Sequence, residues 1–336
     1  MTSATPDLSA LTEGIKQTAA RIETAMQADL NATLAGNDPL LDEVLRYALL
    51  GGGKRLRPML AIISSRLCGR DDDTLSLLAA AFEYLHVATL IHDDVIDHAD
   101  KRRGQPSVVS QYGTASAILA GDWLHARSMH LIGRLTGSRG LDIFCSATMA
   151  MVDGEFLQLR HVTDTEITEE QYFSVILRKT ARLISSTCEI GALFGGGTDE
   201  QQAALAVYGK KLGISFQIVD DLLDYLGDTE VTGKQAGNDF IEGKLTLPLI
   251  HALNTADTGD RDTLINCIRG DRSQPSACAT AKKLMQELDS FSFARNRAEQ
   301  EAEDALEALA IFDPAAHGND LAVLKALAAY VLSRDK

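Results

Sequence analysis

Ala79-Ala-Ala-Phe-Glu-Tyr-Leu-His-Val-Ala-Thr-Leu-Ile-His-Asp-Asp-Val-Ile-Asp97 is the stretch on which the fold turns. From Ala79 to Ile91 it is predominantly apolar, with no Gly or Pro, and reads as the C-terminal part of a long helix. Asp93 and Asp97, four residues apart, then share one face about 6 Å apart along the axis. Two carboxylates so placed repel unless a cation lies between them. Hard oxygen donors with this reach suit Mg²⁺, which keeps some waters and is commonly shared with a substrate phosphate. Arg102 and Arg103 add positive charge just beyond. A lone Asp-Asp-x-x-Asp also describes a solvated acidic helix end. A second copy, Asp220-Asp-Leu-Leu-Asp224, inside the apolar run Ile214 to Leu226, weighs against that bland reading.

Composition points the same way. The chain has 336 residues and only 7 prolines, fewer than the usual ~5%. Ala and Leu are abundant and β-branched alternation is scarce, so an all-α protein is expected. The length suffices for a sizeable core. No linker or low-complexity segment interrupts it, so residues 1–336 read as one domain. Cys68, Cys145, Cys188, Cys267 and Cys278 are scattered, with no Cys-x-x-Cys, and fit reduced thiols in a cytoplasmic protein rather than a zinc site. A net charge of −15 argues against nucleic acid as partner. Small phosphorylated ligands remain open wherever cations gather locally. No apolar run reaches the ~18 residues of a membrane span, and the N-terminus lacks the basic start and apolar core of a signal peptide.

Residues 1–36 read as a peripheral amphipathic helical segment. Asp38-Pro39 caps and opens a helix ending at Gly51-Gly-Gly53. These glycines let the backbone approach a ligand closely, and the basic run Lys54-Arg-Leu-Arg57 follows at once, although a helix end with surface bases has the same pattern. Asp71-Asp-Asp73 caps the helix from Thr74. Trp123, in Gly121-Asp-Trp123, is expected in the core of a helix from Thr114 to Leu135. Glu155 and Gln158 end another helix and have no assignable role. Thr168-Glu-Glu-Gln171 and Thr198-Asp-Glu-Gln201 are capping boxes. The first opens a helix bearing Lys179-Thr180, where a lysine ordinarily snorkels to the surface. The second opens the helix of the second aspartate motif. Gly227 to Pro248 has no helical period and carries Lys234 and Lys244 just past the acids. Loops of that length in compact domains are mostly functional or disordered. Residues 249–336 read as helical scaffold.

In this order, Gly51-Gly-Gly-Lys-Arg-Leu-Arg-Pro58, His92-Asp-Asp-Val-Ile-Asp97 with Arg102-Arg-Gly104, Gly121-Asp-Trp123, Lys179-Thr180, Phe216-Gln-Ile-Val-Asp-Asp-Leu-Leu-Asp224 and Gly233-Lys234 through Gly243-Lys-Leu-Thr-Leu-Pro248 resemble the trans-isoprenyl diphosphate synthases. The likeness is to their long-chain polyprenyl, octaprenyl-like branch and covers Asp38 to Ile250 in detail. It implies an all-α, single-domain helical bundle around a deep apolar central cavity, with the two aspartate motifs facing each other across its mouth. It also implies three Mg²⁺ ions and a homodimer. By position, Asp93, Asp97, Asp220 and Asp224 would hold the metals. Arg102, Lys179, Thr180, Gln217, Lys234 and Lys244 would contact the allylic diphosphate (farnesyl or geranylgeranyl), while Lys54, Arg57, His86 and Arg103 would bind isopentenyl diphosphate. Asp93, Asp97, Asp220, Lys179 and Lys244 would carry the catalysis. Trp123 departs from the family's more usual Phe or Tyr and leaves open how far the cavity extends beside it.

The residue types suit that chemistry. Cleaving an allylic C1–O bond gives a cation and a diphosphate of increased charge, which Mg²⁺, Lys and Arg stabilise. An apolar cavity keeps the cation from water, and the departing diphosphate can take the final proton. A terpene cyclase would not need the Lys54 to Arg57 site, and its Asn-x-x-x-Ser-x-x-x-Glu motif is missing. A non-catalytic subunit would be expected to have lost one aspartate motif. Ala88, Thr89 and, a turn further down, Leu85 precede Asp93 on the same helix and are the expected gauge of product length. Small Ala88, where short-chain members tend to carry an aromatic, implies a long product, handed on to a membrane.

Overall fold

The computed structural model describes residues 8–52, 55–102, 104–227 and 237–334, with side chains from residue 16 onward. Lys54, Arg103 and Lys234 therefore lie outside the described residues. In chain order the helices are α1 (Leu8–Thr33), α2 (Pro39–Leu50), α3 (Leu56–Leu67), α4 (Thr74–Ile96), α5 (Val108–Arg160), α6 (Glu169–Ile176), α7 (Arg182–Phe194), α8 (Asp199–Leu226), α9 (Asn238–Glu242), α10 (Leu247–Thr255), α11 (Thr258–Arg269), α12 (Pro275–Glu287), α13 (Ser290–Ala308) and α14 (Pro314–Leu332). A π-helical turn, Leu177–Ala181, joins α6 to α7, and a 3₁₀ turn, Leu309–Ile311, follows α13. The strands among the described residues are β1 (Lys101–Arg102) and β2 (Gln105–Pro106), an antiparallel hairpin pairing Lys101 with Pro106 and Arg102 with Gln105. The fold is all-α.

Local chemistry sets many of the helix ends. Asp38 accepts the amide of Leu40 at 2.9 Å, with Pro39 in the first turn. At α4 the capping oxygen belongs to Asp72, which takes the Thr74 amide at 2.9 Å, while Asp73 makes no capping bond. Both Thr168–Gln171 and Thr198–Gln201 form reciprocal capping boxes. In α5, Gly113 and Gly137 take non-helical backbone angles and leave the expected Thr114–Leu135 segment between two kinks.

The helices gather into two compact units. One is drawn from Met1–Cys145, Thr187–Ala203 and Phe312–Leu324, the other from Ser146–Ser186, Ala204–Ile311 and Lys325–Lys336. In the first unit α4 packs on α3 and α1. Phe82, Tyr84, Leu85 and Ala88 of α4 are buried, as are Ile22, Met26 and Leu30 of α1. The N-terminal segment is thus not peripheral throughout. The Tyr84 hydroxyl donates to Asp29 at 3.0 Å, and Arg127 donates to the same carboxylate through Nε at 3.0 Å. Trp123 is only half-buried and does not fill the core position expected of it. By length and composition α4 could also cross a membrane, an exception to the sequence reading, but most of its apolar window is buried among its neighbours. In the second unit α8 is tied to α13 by Lys211, 3.0 Å from Glu301 and 2.7 Å from Asp304, and by the Ser215 hydroxyl donating to the Ala298 carbonyl at 2.8 Å. None of the five cysteines is in a disulfide.

One buried ion pair positions the chain just before α3. Arg55, in a left-handed conformation, pairs with Glu83 of α4 and donates to the Leu49 carbonyl at 2.8 Å, with both charged side chains almost wholly buried. Removing one partner of such a pair strands the other charge and costs about 3–5 kcal/mol. Glu83→Ala is therefore expected to lower the urea midpoint by that equivalent. A midpoint within experimental error of the parent would show that Arg55 is not held by this contact.

Candidate active site

The first aspartate motif forms the C-terminal turn of α4. Asp97 caps the helix, its amide donating to the Asp93 carbonyl at 2.8 Å, so the two side chains stand one turn apart. Asp93 is half-buried and Asp97 exposed. The middle aspartate behaves differently. Asp94 is 2% exposed and receives Arg102 Nε at 2.8 and 2.9 Å and Nη2 at 2.7 Å. The tight β1–β2 hairpin brings Arg102 back onto the helix. Arg102 was expected on the allylic diphosphate, and here its guanidinium is gripped by a buried carboxylate.

Arg57 and His86, the expected isopentenyl diphosphate pair, are brought together, Nη1 to Nδ1 at 3.0 Å. Burial draws the Arg57 pKa below its ordinary value, with the Glu83 charge opposing. Its Nε is buried with no hydrogen-bond partner among the described residues, a cationic donor suited to an anion. Thr89 folds back to donate to the His86 carbonyl at 2.8 Å. A cavity of about 380 Å³ in the same unit is lined from α4 by Val87, Leu90, Ile91 and Asp94, with Tyr47, Arg102 and Pro106. That is a different stripe of α4 from the one bearing Asp93 and Asp97.

The second motif ends α8 in the other unit. Asp220 is half-exposed and accepts Arg334 Nη2 at 3.1 Å, while the Arg334 guanidinium lies 4.5 Å over the Phe216 ring. Asp221 is buried. It accepts the Tyr172 hydroxyl at 2.6 Å and the Gln217 amide at 2.9 Å. Burial, then the neighbouring Asp239 charge, push its carboxyl well above the usual carboxylate range. Asp224 accepts the amides of Asn238 and Asp239 at 3.1 and 3.0 Å, anchoring the first turn of α9 to α8. Thr180 donates to Gln217 at 2.9 Å, joining two expected diphosphate ligands. Lys244 lies 2.5 Å from Glu242 and 3.8 Å from Asp239.

Lys179 sits on the π-helical turn. Two glycines on other helices let that turn fit. A Cβ on Gly154 of α5 would lie 2.6 Å from the Lys179 amide nitrogen, and one on Gly213 of α8 would lie 2.7 Å from the Ala181 Cα. Lys179 Nζ is 2.5 Å from Glu155, one of the two residues at the end of α5 that had no assignable role. Glu155 is held by Lys179, and Asp221 in part by Tyr172, both partners distant in sequence. Asp94 and Asp221 both carry a local signal, each as the middle acid of its motif.

Each aspartate motif thus presents hard oxygen donors at the exposed end of a helix. Among the described residues no three His, Cys, Asp or Glu side chains gather around one point. Paired carboxylates of this kind fit Mg²⁺ completing its shell with water and phosphate.

An all-α chain with two such helix ends, and with the half-buried Arg57 and a π-turn lysine as cations, belongs to a recognisable class. Residues 38–287 match the model of the polyprenyl synthetase family, and the chain is a member of that family, a prenyltransferase. It is 37% identical to the octaprenyl diphosphate synthase of Haemophilus influenzae over 83% of this chain and 85% of that one. It is also 37% identical to a short chain isoprenyl diphosphate synthase of Methanothermobacter thermautotrophicus, over 79% and 86%. Among solved structures it resembles a polyprenyl synthase from Caulobacter crescentus complexed with calcium and isoprenyl diphosphate, with a TM-score of 0.88 and 32% identity over 100% of both chains.

Proposed function

We propose that the chain is a Mg²⁺-dependent synthase that condenses an allylic diphosphate with successive isopentenyl diphosphates into an all-trans long-chain polyprenyl diphosphate. The observation that carries the reading is the pair of aspartate helix ends within a chain similar to polyprenyl synthases along its whole length. Mg²⁺ at Asp93, Asp97 and Asp220, three ions in all, would stabilise the charge developing on the leaving diphosphate. Asp224, whose carboxylate also accepts the Asn238 and Asp239 amides, would join them.

Lys179, Thr180, Gln217, Lys234 and Lys244 would orient the allylic diphosphate, with Arg102 steadied by Asp94 beside it. Arg57 and His86, with Lys54 and Arg103, would hold isopentenyl diphosphate, and the unpartnered Arg57 Nε supports that role. A homodimer is supported by a stripe on α5, Met149, Val152, Phe156 and Leu159, whose large apolar side chains are exposed at helical spacing. We place the protein in the cytoplasm, with its hydrocarbon product passing to a membrane.

A shorter-chain synthase is the second reading, favoured by the short-chain relative, which shares the same 37% identity. The test is purified protein with Mg²⁺, farnesyl diphosphate and labelled isopentenyl diphosphate, with the dephosphorylated products sized by chromatography. Products well beyond twenty carbons are expected, and abolished by chelation. Products of twenty carbons or fewer select the second reading. No condensation with any allylic primer would overturn both.

A further inference from the structure

Three successive residues of α5 meet the π-helical turn. Asp153 lies 3.4 Å from Arg178 Nε, Gly154 allows the Lys179 backbone to approach, and Glu155 Oε2 is 2.5 Å from Lys179 Nζ. The other Glu155 oxygen accepts the Gln158 amide at 3.3 Å. The Glu155 and Lys179 side chains are 25% and 31% exposed, so the pair is partly shielded from solvent yet reachable by a small anion. A carboxylate beside a diphosphate-binding cation opposes the binding of diphosphate. It also neutralises the cation when the anion is away.

We infer that Glu155 is the resident counter-anion of Lys179, lowering diphosphate affinity at that lysine and hastening its release. This rests on the reading of Lys179 as an allylic diphosphate ligand. A chain-elongating synthase discharges one diphosphate per condensation, so a site that bound it too tightly would stall at every step. Lys179 passes from carboxylate to phosphate when substrate binds and back again when the product leaves. Glu155 is a positioning residue in this scheme, acting through the lysine.

Glu155→Gln keeps the shape and the Gln158 acceptor but removes the charge. Magnesium pyrophosphate binding, by calorimetry and as inhibition against the allylic substrate, is expected to tighten about fivefold, the scale of a partly exposed ion pair. KM for the allylic substrate and kcat should fall together, and Glu155→Asp should return both towards the parent. On a Lys179→Ala background, Glu155→Gln should change pyrophosphate affinity hardly at all. A purely structural Glu155 would instead give weaker binding and a lower melting temperature. The inference is overturned if Glu155→Gln binds pyrophosphate no more tightly than the parent, or if its effect persists in full without Lys179. Unchanged pyrophosphate affinity in Lys179→Ala alone overturns the assignment of Lys179, and the inference with it.

Discussion

Asp93→Ala and Asp97→Ala, and Asp220→Asn, are each expected to lower turnover about a thousandfold or more, because metal stabilisation of a leaving group contributes several kcal/mol to the transition state. The helical circular dichroism should be unchanged. Asp97 is exposed and Asp93 half-buried at a helix end, so neither supports much packing. Asparagine is chosen at 220 because alanine would remove the partner of Arg334, whose side chain is 12% exposed. Raising Mg²⁺ should recover part of the loss where a ligand is weakened and not removed. Asp94→Ala makes the contrast: it strips a buried carboxylate from Arg102 and should lower stability as well as activity. Turnover within a few-fold of the parent in any of the first three variants, at saturating Mg²⁺, would remove that aspartate from the metal set.

What could be read from the sequence was mostly local. The caps at Asp38, Thr168 and Thr198 depend on residues two or three apart, and the structure shows each of them. The shared face of Asp93 and Asp97 follows from helical spacing alone. The Tyr172 partner of Asp221 and the Lys179 partner of Glu155 depend on which elements meet, and no spacing encodes that. The π turn at Leu177–Ala181 barely disturbs the hydrophobic period, and the glycines that accommodate it, Gly154 and Gly213, lie on other helices. Helix α9 is too short to show a period. The burial of α1 was legible in principle, since Ile22, Met26 and Leu30 repeat every fourth residue. A polar N-terminal sequence around them masked the signal.

Ala88→Phe is expected to cut the product from a long polyprenyl chain to fifteen or twenty carbons while largely keeping the rate of the first condensation. An allylic diphosphate held at Asp93 and Asp97 would run its tail back along α4. One turn rises about 5.4 Å, close to one extended isoprene unit, so residues a turn apart act as successive stops. Ala88 and Thr89 stand at the first of these, and Leu85 at the next. The aromatic side chains nearby are committed elsewhere. Tyr84 turns its hydroxyl to Asp29 of α1, and the Phe82 ring packs 6.2 Å from that of Phe144. Ala88 is 2% exposed, so a competing account holds that its size only lets helices pack closely. Overpacking of that kind costs about 1–3 kcal/mol and would appear as a lower melting temperature with product length unchanged. Thr89→Phe separates the accounts, because Thr89 is half-buried where Ala88 is fully buried. Shortened products from both variants fit a tail passing this level of α4. Full-length products from both would remove this level of α4 from the control of product length.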